Sequence, residues 1–163
     1  MTLQSLTGWG RCTWSQAHVA HPADAGRAAE LVAGATSVLG RGLGRAYGDA
    51  AQNAGGLVIA TDRLQDSSAP GPVMDVAAGV SIDDLLRETV PAGYFVPVTP
   101  GTRYVTIGGA LASDIQGKNH HADGALSAHT DSIDLVLADG EKVTVGPDQD
   151  PELFWATAGG MGL

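Results

Sequence analysis

Arg41-Gly42-Leu43-Gly44-Arg45-Ala46-Tyr47-Gly48, together with the run from Pro100 to His121, PGTRYVTIGGALASDIQGKNHH, decides how this chain reads. Both stretches are rich in glycine, which lacks a Cβ and lets successive N–H groups converge on phosphate oxygens. Of the nine Lys and Arg residues in a chain of net charge -9, Arg41, Arg45, Arg103 and Lys118 fall inside these two loops. The pattern predicts a backbone-lined site for one large anionic ligand, with a pyrophosphate as the natural guest.

Outward from the loops, the chain reads as alternating short elements. Residues 22–34, PADAGRAAELVAG, place Ala28, Leu31 and Val32 on one helical face, with Pro22 suited to the first turn and Gly34 to the C-terminal cap. Residues 36–39 and 56–60 are strand candidates on either side of the first loop, and Val73 to Ala78 is a weaker one. Ser81 offers an N-cap to SIDDLLRETV, in which Asp83 and Asp84 read as favourable charges at a helix start. Tyr94 to Val98 is β-rich, and Thr106 to Ile115 reads as a short helix packed through small residues. Ser132 to Ala138 alternates, Asp139-Gly140 signals a hairpin, Lys142 to Val145 returns as its partner, and Asp150-Pro151 opens a last helix. The irregular order favours an α+β domain over a regular βαβ array.

Composition narrows the function classes. The 163 residues suit one domain with a real core, and 44% hydrophobic against 17% charged residues argues for a folded globular chain. Twenty-three glycines are about twice the usual frequency of roughly 7%. The acidic balance disfavours nucleic acid as a partner. No apolar run approaches the ~20 residues of a membrane span, and MTLQSLTGWGRC lacks the basic and apolar regions of a signal peptide. Cys12 is the only cysteine, so no internal disulfide forms. The apolar, glycine-rich end at residues 158–163 reads as a truncation of a longer protein.

Familiar nucleotide motifs fail on inspection. Tyr47 stands where a G-x-G-x-x-G fingerprint needs its third glycine, and GDAAQNAGG is no helix. Gly117-Lys118 is followed by Asn119, with Ala112 where a P-loop needs glycine. His120, His121, Asp123 and His129 invite a metal, but hydrogen-bonded loop histidines are the simpler reading, and no metal site is expected.

Five segments, LTGWGR, RGLGRAYGDAAQNAGGLVI, PVTPGTRYVTIGGALASDIQGKNHHADG, SIDLVLADGE and ELFWATAGGMGL, resemble the flavin domain of the vanillyl-alcohol-oxidase superfamily, with its PCMH-type FAD-binding fold. Within it they look like the branch that oxidises polyprenyl-phosphoryl ribose during arabinan synthesis for actinobacterial cell walls. The resemblance implies one FAD-binding domain over residues 1–163, built of two small α+β subdomains. It implies a first loop of Gly40, Arg41, Gly42, Leu43, Gly44, Arg45, Ala46, Tyr47, Gly48, Asp49 and Ala50, with Asn53, around the FAD phosphates. Pro100, Gly101, Thr102, Thr106, Ile107, Gly108 and Gly109 would contact the cofactor from the other side, while Ser113, Asp114, Ile115, Gln116, Gly117 and Asn119 would run past the flavin ring. Tyr47, Gln116 and Lys118 would carry the substrate chemistry.

Two positions stand out against the family pattern. Many relatives bind FAD covalently through a histidine, and Arg45 stands in its place; a guanidinium stays protonated and is a poor nucleophile, so non-covalent FAD is expected. Gln116 replaces the histidine of a D-I-H-G-K-N-H-H pattern, and glutamine cannot accept a proton at neutral pH. The implied reaction is oxidation of the 2′-hydroxyl of a polyprenyl-phosphoryl pentose. A keto-reductase partner and peripheral contact with the cytoplasmic or periplasmic face of a membrane, through the lipid substrate, are implied as well. The fragment alone is expected to be inactive. A sugar-lactone or alditol oxidase of the same superfamily and a non-catalytic ligand-binding module are the alternatives.

Overall fold

The structure, a computed structural model, describes residues 1–162. Its elements run β1 (Thr2–Thr7), β2 (Trp14–Ala20), α1 (Ala25–Ala33), β3 (Val38–Arg41), β4 (Leu57–Ala60), α2 (Ile82–Thr89), α3 (Ile107–Ala112), α4 (His120–Asp123), a 3-10 turn (Leu126–His129), β5 (Ile133–Val136), β6 (Lys142–Val145) and α5 (Pro151–Thr157). A four-stranded sheet has the order β1-β2-β4-β3, and β5 and β6 form a separate antiparallel pair. The α+β expectation stands.

Strand β4, Leu-Val-Ile-Ala, is apolar throughout because both of its faces are covered. Leu57 and Ile59 meet Ala20 and Ala28, with Leu31, Val32, Ala35 and Val38 around them, so α1 closes that face. Val58 points the other way into Ala17 and Val19, beside Leu6 and Ala60. Burial at alternate residues is the period-2 pleat expressed in packing.

The pairing of β3 with β4 determines where the first loop goes. The two strands are parallel, with Val38 opposite Leu57 and Arg41 opposite Ala60. Parallel neighbours cannot be joined by a tight turn. The chain therefore leaves the C-terminal end of β3 at Arg41 and returns to the N-terminal end of β4, where Asn53 Nδ2 donates to the Leu57 carbonyl and Ser37 Oγ donates to Asn53 Oδ1.

Helix α2 begins as the sequence predicts: Ser81 Oγ accepts from the Asp84 N–H at 3.1 Å and donates to its carboxylate. Helix α1 starts three residues after Pro22, because Asp24 caps it by accepting from the Arg27 N–H. Gly140 has φ +86°, and a Cβ there would lie 2.8 Å from that of Ala33, so the β5–β6 turn needs glycine to seat against α1.

Two strand expectations do not hold. Val73 to Ala78 makes only an isolated bridge, Ser67 with Val76, and no ladder. Tyr94 to Val98 is irregular, since Pro97 removes a donor from the middle of the run and the Tyr94 N–H is spent on the Thr89 carbonyl. Conversely β1 and β2 carry no expectation from the sequence; their inward residues are small or few, and Leu3 and Trp14 face solvent. No helix is long and apolar enough to cross a membrane among the described residues.

Candidate functional site

The first loop is held from behind. The Arg41 guanidinium donates to the Ala51 carbonyl at 2.6 Å and to the Thr7 carbonyl at 2.8 Å, tying the loop's exit to the end of β1. Its half-burial lowers its pKa through desolvation, yet an arginine remains charged. Gly44 takes φ +64°, and a Cβ there would come 2.3 Å from an Arg41 terminal nitrogen. Arg45 donates to the Leu43 carbonyl at 2.9 Å and lies 4.5 Å from the Trp9 ring centroid. Both arginines thus hold the loop's own shape as well as placing positive charge there.

What the loop leaves open is its donors. Among the described residues, no main-chain N–H from Gly42 through Ala50 donates to another protein group. Its carbonyls are engaged instead: Ala46 accepts from the Trp9 N–H at 2.7 Å and Tyr47 from the Gly10 N–H at 3.3 Å. A run of unpaired N–H groups on a loop with its carbonyls turned inward is the arrangement that binds phosphate oxygens. Leu43, Tyr47, Gly48, Asp49 and Ala50 are exposed along it.

The second loop meets the first at Gly42. A Cβ built on Gly42 would fall 2.3 Å from Thr106 Oγ1, so the start of α3 lies against the exit of β3. Thr106 also caps α3 by accepting from the Gly109 N–H. The Ile107 and Gly108 N–H groups donate to the carbonyls of Val80 and Ala78. Ile107, Gly108 and Gly109 therefore have no free N–H for a ligand, and any contact from them is through their surfaces. Gly101 and Thr102 are exposed, and Pro100 is half-buried.

Arg103 does not face the cradle. Its Nε donates to Asp83 at 2.7 Å, while Arg87 reaches the other oxygen of the same carboxylate at 3.1 Å. The hydrogen bond with the Tyr104 hydroxyl, and then the Asp83 charge, raise its pKa. Asp83 lies in the first turn of α2 as expected, and is also a buried anchor for the second loop.

Beyond α3, Asp114 at φ +42° accepts from both the N–H and the hydroxyl of Ser127, and this fixes the bend that leads to Ile115 and Gln116. Gly117 is buried against Thr99, and Asn119 donates to the Pro97 carbonyl and to Asp123. Asp114, Asn119 and Asn53 therefore spend their side chains on the protein itself. Gln116, Lys118 and Ser113 are exposed. Among the described residues, no hydrogen bond or ion pair joins Tyr47 to Gln116 or Lys118, and the structure brings Gly42 to Thr106. His129 bonds the Asp123 carbonyl and His120 faces the Gly117 carbonyl, and no three potential ligands converge on a metal position among the described residues.

Gly8, Trp9 and Gly10 form the part of the site that sequence reasoning gave no role. Two glycines flanking a tryptophan in LTGWGR were the available signal. An open hollow of about 390 Å³ lies beside the far end of the first loop, lined by Asp49, Ala50, Gln52, Thr13, Trp14 and Ser15.

Residues 17–146 match the family model described as an FAD binding domain. Decaprenylphosphoryl-beta-D-ribose oxidase of Mycolicibacterium smegmatis is 47% identical over 99% of this chain, which spans 37% of that relative. Cytokinin dehydrogenase 5 of Oryza sativa subsp. japonica is 30% identical, with 98% of this chain and 34% of that protein covered. The crystal structure of 6-hydroxy-D-nicotine oxidase from Arthrobacter nicotinovorans superposes with a TM-score of 0.76 at 27% identity, covering 86% of this chain and 32% of that one. The chain spans about a third of the length of these proteins. FAD fits the residues present, because its diphosphate needs close main-chain donors, and Gly42 to Ala50 offer them unpaired. A mixed α+β fold, a parallel β3–β4 pair that throws out a donor-rich loop and a match across most of the sequence together place this chain in the FAD-binding domain family, in its PCMH-type form.

Proposed function

We propose that the protein is an FAD-dependent oxidoreductase that oxidises the 2′-hydroxyl of decaprenylphosphoryl-β-D-ribose in arabinan precursor synthesis, with residues 1–163 as its FAD-binding domain. The observation that carries this reading is the 47% identity that runs along 99% of the chain to the mycobacterial ribose oxidase. The unpaired N–H groups from Gly42 to Ala50 bind the FAD diphosphate. Bound FAD supplies the hydride acceptor for the sugar carbon.

The chain's own residues then bind and orient. The Lys118 ammonium, exposed on the segment after α3, pairs with the phosphodiester of the substrate. Gln116 holds the sugar hydroxyl by hydrogen bonding, and Tyr47 covers the sugar from the first loop. The hydroxyl proton passes to a base other than Gln116, whose amide cannot take it. With Arg45 in the place of a linking histidine, FAD is held without a covalent bond.

The keto sugar so formed requires a reductase to return it to a hydroxyl of opposite configuration, which makes a keto-reductase the partner. The lipid tail brings the enzyme to the cytoplasmic or periplasmic face of a membrane as a peripheral protein. The test is anaerobic mixing of the yellow full-length protein with decaprenylphosphoryl ribose, which should bleach its flavin absorbance. Bleaching by sugar lactones or alditols alone would instead assign it to that branch of the superfamily, and colourless protein would mark a non-catalytic module.

A further inference from the structure

The N-terminal turn between β1 and β2 lies outside the residues that match the FAD-binding model, yet it touches the phosphate loop at Arg45, Ala46, Tyr47 and Gly48. We infer that Trp9 is a positioning residue for the cofactor: the Gly8-Trp9-Gly10 turn sets the direction of the N–H groups that meet the diphosphate. This rests on the FAD reading above.

The argument is one of peptide planes. In a trans peptide the C=O of one residue and the N–H of the next point in opposite directions. The Trp9 N–H draws the Ala46 carbonyl toward the turn, which aims the Tyr47 N–H away from it. The Gly10 N–H does the same to the Tyr47 carbonyl and so directs the Gly48 N–H. Two consecutive N–H groups are thereby turned to the open side of the loop. The Arg45 guanidinium fixes a third plane through its bond to the Leu43 carbonyl, beside the buried Gly44.

Trp9 then locks Arg45. The indole lies under the guanidinium at 4.5 Å, so the side chain that holds Leu43 is itself held by the turn. The approach is close enough to demand glycine at its edge: a Cβ on Gly8 would sit 1.9 Å from the Gly48 carbonyl oxygen. Turn and loop form one unit, with carbonyls and aromatic ring on its inner side and unpaired donors on its outer side. Trp9 is about half exposed, so its place there reflects the loop rather than the core.

The experiment compares full-length wild type with W9A, W9F and Arg45→Met. It measures FAD affinity by flavin fluorescence, ADP affinity by displacement, and the thermal midpoint of the apoprotein. We expect W9A and Arg45→Met each to weaken FAD and ADP alike by about tenfold, from loss of the stacked cation and, with it, of the guanidinium's hold on the Leu43 carbonyl, while the Trp9 and Gly10 N–H bonds are kept. The apo midpoint should move little, and W9F should restore most of the affinity. Unchanged affinity in W9A would overturn the inference, as would a loss confined to FAD with ADP intact, which would place Trp9 on the flavin ring. So would an apo midpoint that falls in step with affinity and is not recovered by W9F. Wild type that binds neither FAD nor ADP would instead overturn the cofactor reading underneath.

Discussion

Gly42 and Thr106 stand in contact: a Cβ on Gly42 would lie 2.3 Å from the threonine hydroxyl oxygen and 3.2 Å from the threonine Cβ. This is where the two glycine-rich loops become one site. Thr106 has no freedom to swing away, because the same hydroxyl caps α3 through the Gly109 N–H. Gly42→Ala should therefore push the first loop off α3 and weaken FAD binding by about tenfold or more, with a stability loss of about 1–3 kcal/mol from overpacking. Thr106→Ala alone should cost about 1 kcal/mol as a lost cap. The double variant should lose less than the sum of the two single losses, since the clashing hydroxyl is gone. Strict additivity in chemical denaturation would show that the loops do not press on each other.

Arg45 decides how the cofactor is held. Its guanidinium is committed to the Leu43 carbonyl and the Trp9 ring, and offers no nucleophile to the flavin. Acid precipitation of the holoprotein should leave all the yellow colour in the supernatant. Flavin that migrates with the denatured polypeptide on a gel would contradict this.

The sequence made the donors legible and left their supports hidden. Glycine loops are visible as composition, and Ser81 as a cap follows from local chemistry. The partners across the fold are not local. Arg41 reads as a phosphate ligand until the structure brings the Thr7 and Ala51 carbonyls to its terminal nitrogens. Asp83 reads as a helix-start charge until Arg103 arrives beside it. Strands β1 and β2 were missed because their buried residues are small, Ala17 above all, so the pleat leaves little hydrophobic alternation to see.

Thr89 marks a site where stability can be gained. Its hydroxyl is buried at the end of α2 and has no hydrogen-bond partner among the described residues. A hydroxyl taken from water without a partner is costly, whereas a methyl of the same shape is not. Thr89→Val should raise stability by about 1 kcal/mol in urea denaturation, leaving FAD affinity unchanged. A destabilised variant would mean that the hydroxyl has a partner after all.

The Asp83 carboxylate, mostly buried, joins α2 to the second loop through two arginines. Its Oδ1 holds Arg103 of the second loop and its Oδ2 holds Arg87 one turn along α2, while its own N–H donates to the Arg103 carbonyl. Both guanidinium groups are more than half exposed, so solvent screens the charge and the geometry of the hydrogen bonds matters more than the Coulomb energy. Asp83→Asn retains an acceptor for one arginine and should cost about 1 kcal/mol; Asp83→Ala should cost about 2 kcal/mol, because both charge-assisted bonds are lost. The loss should depend only weakly on salt. Arg103→Gln, which frees the loop but leaves Arg87 paired, should reproduce most of the Asp83→Ala effect if the loop anchor dominates. If Arg87→Gln reproduces it instead, Asp83 serves the helix and the second loop is held by its main-chain bonds to Ala78, Val80, Ile82 and Asp83.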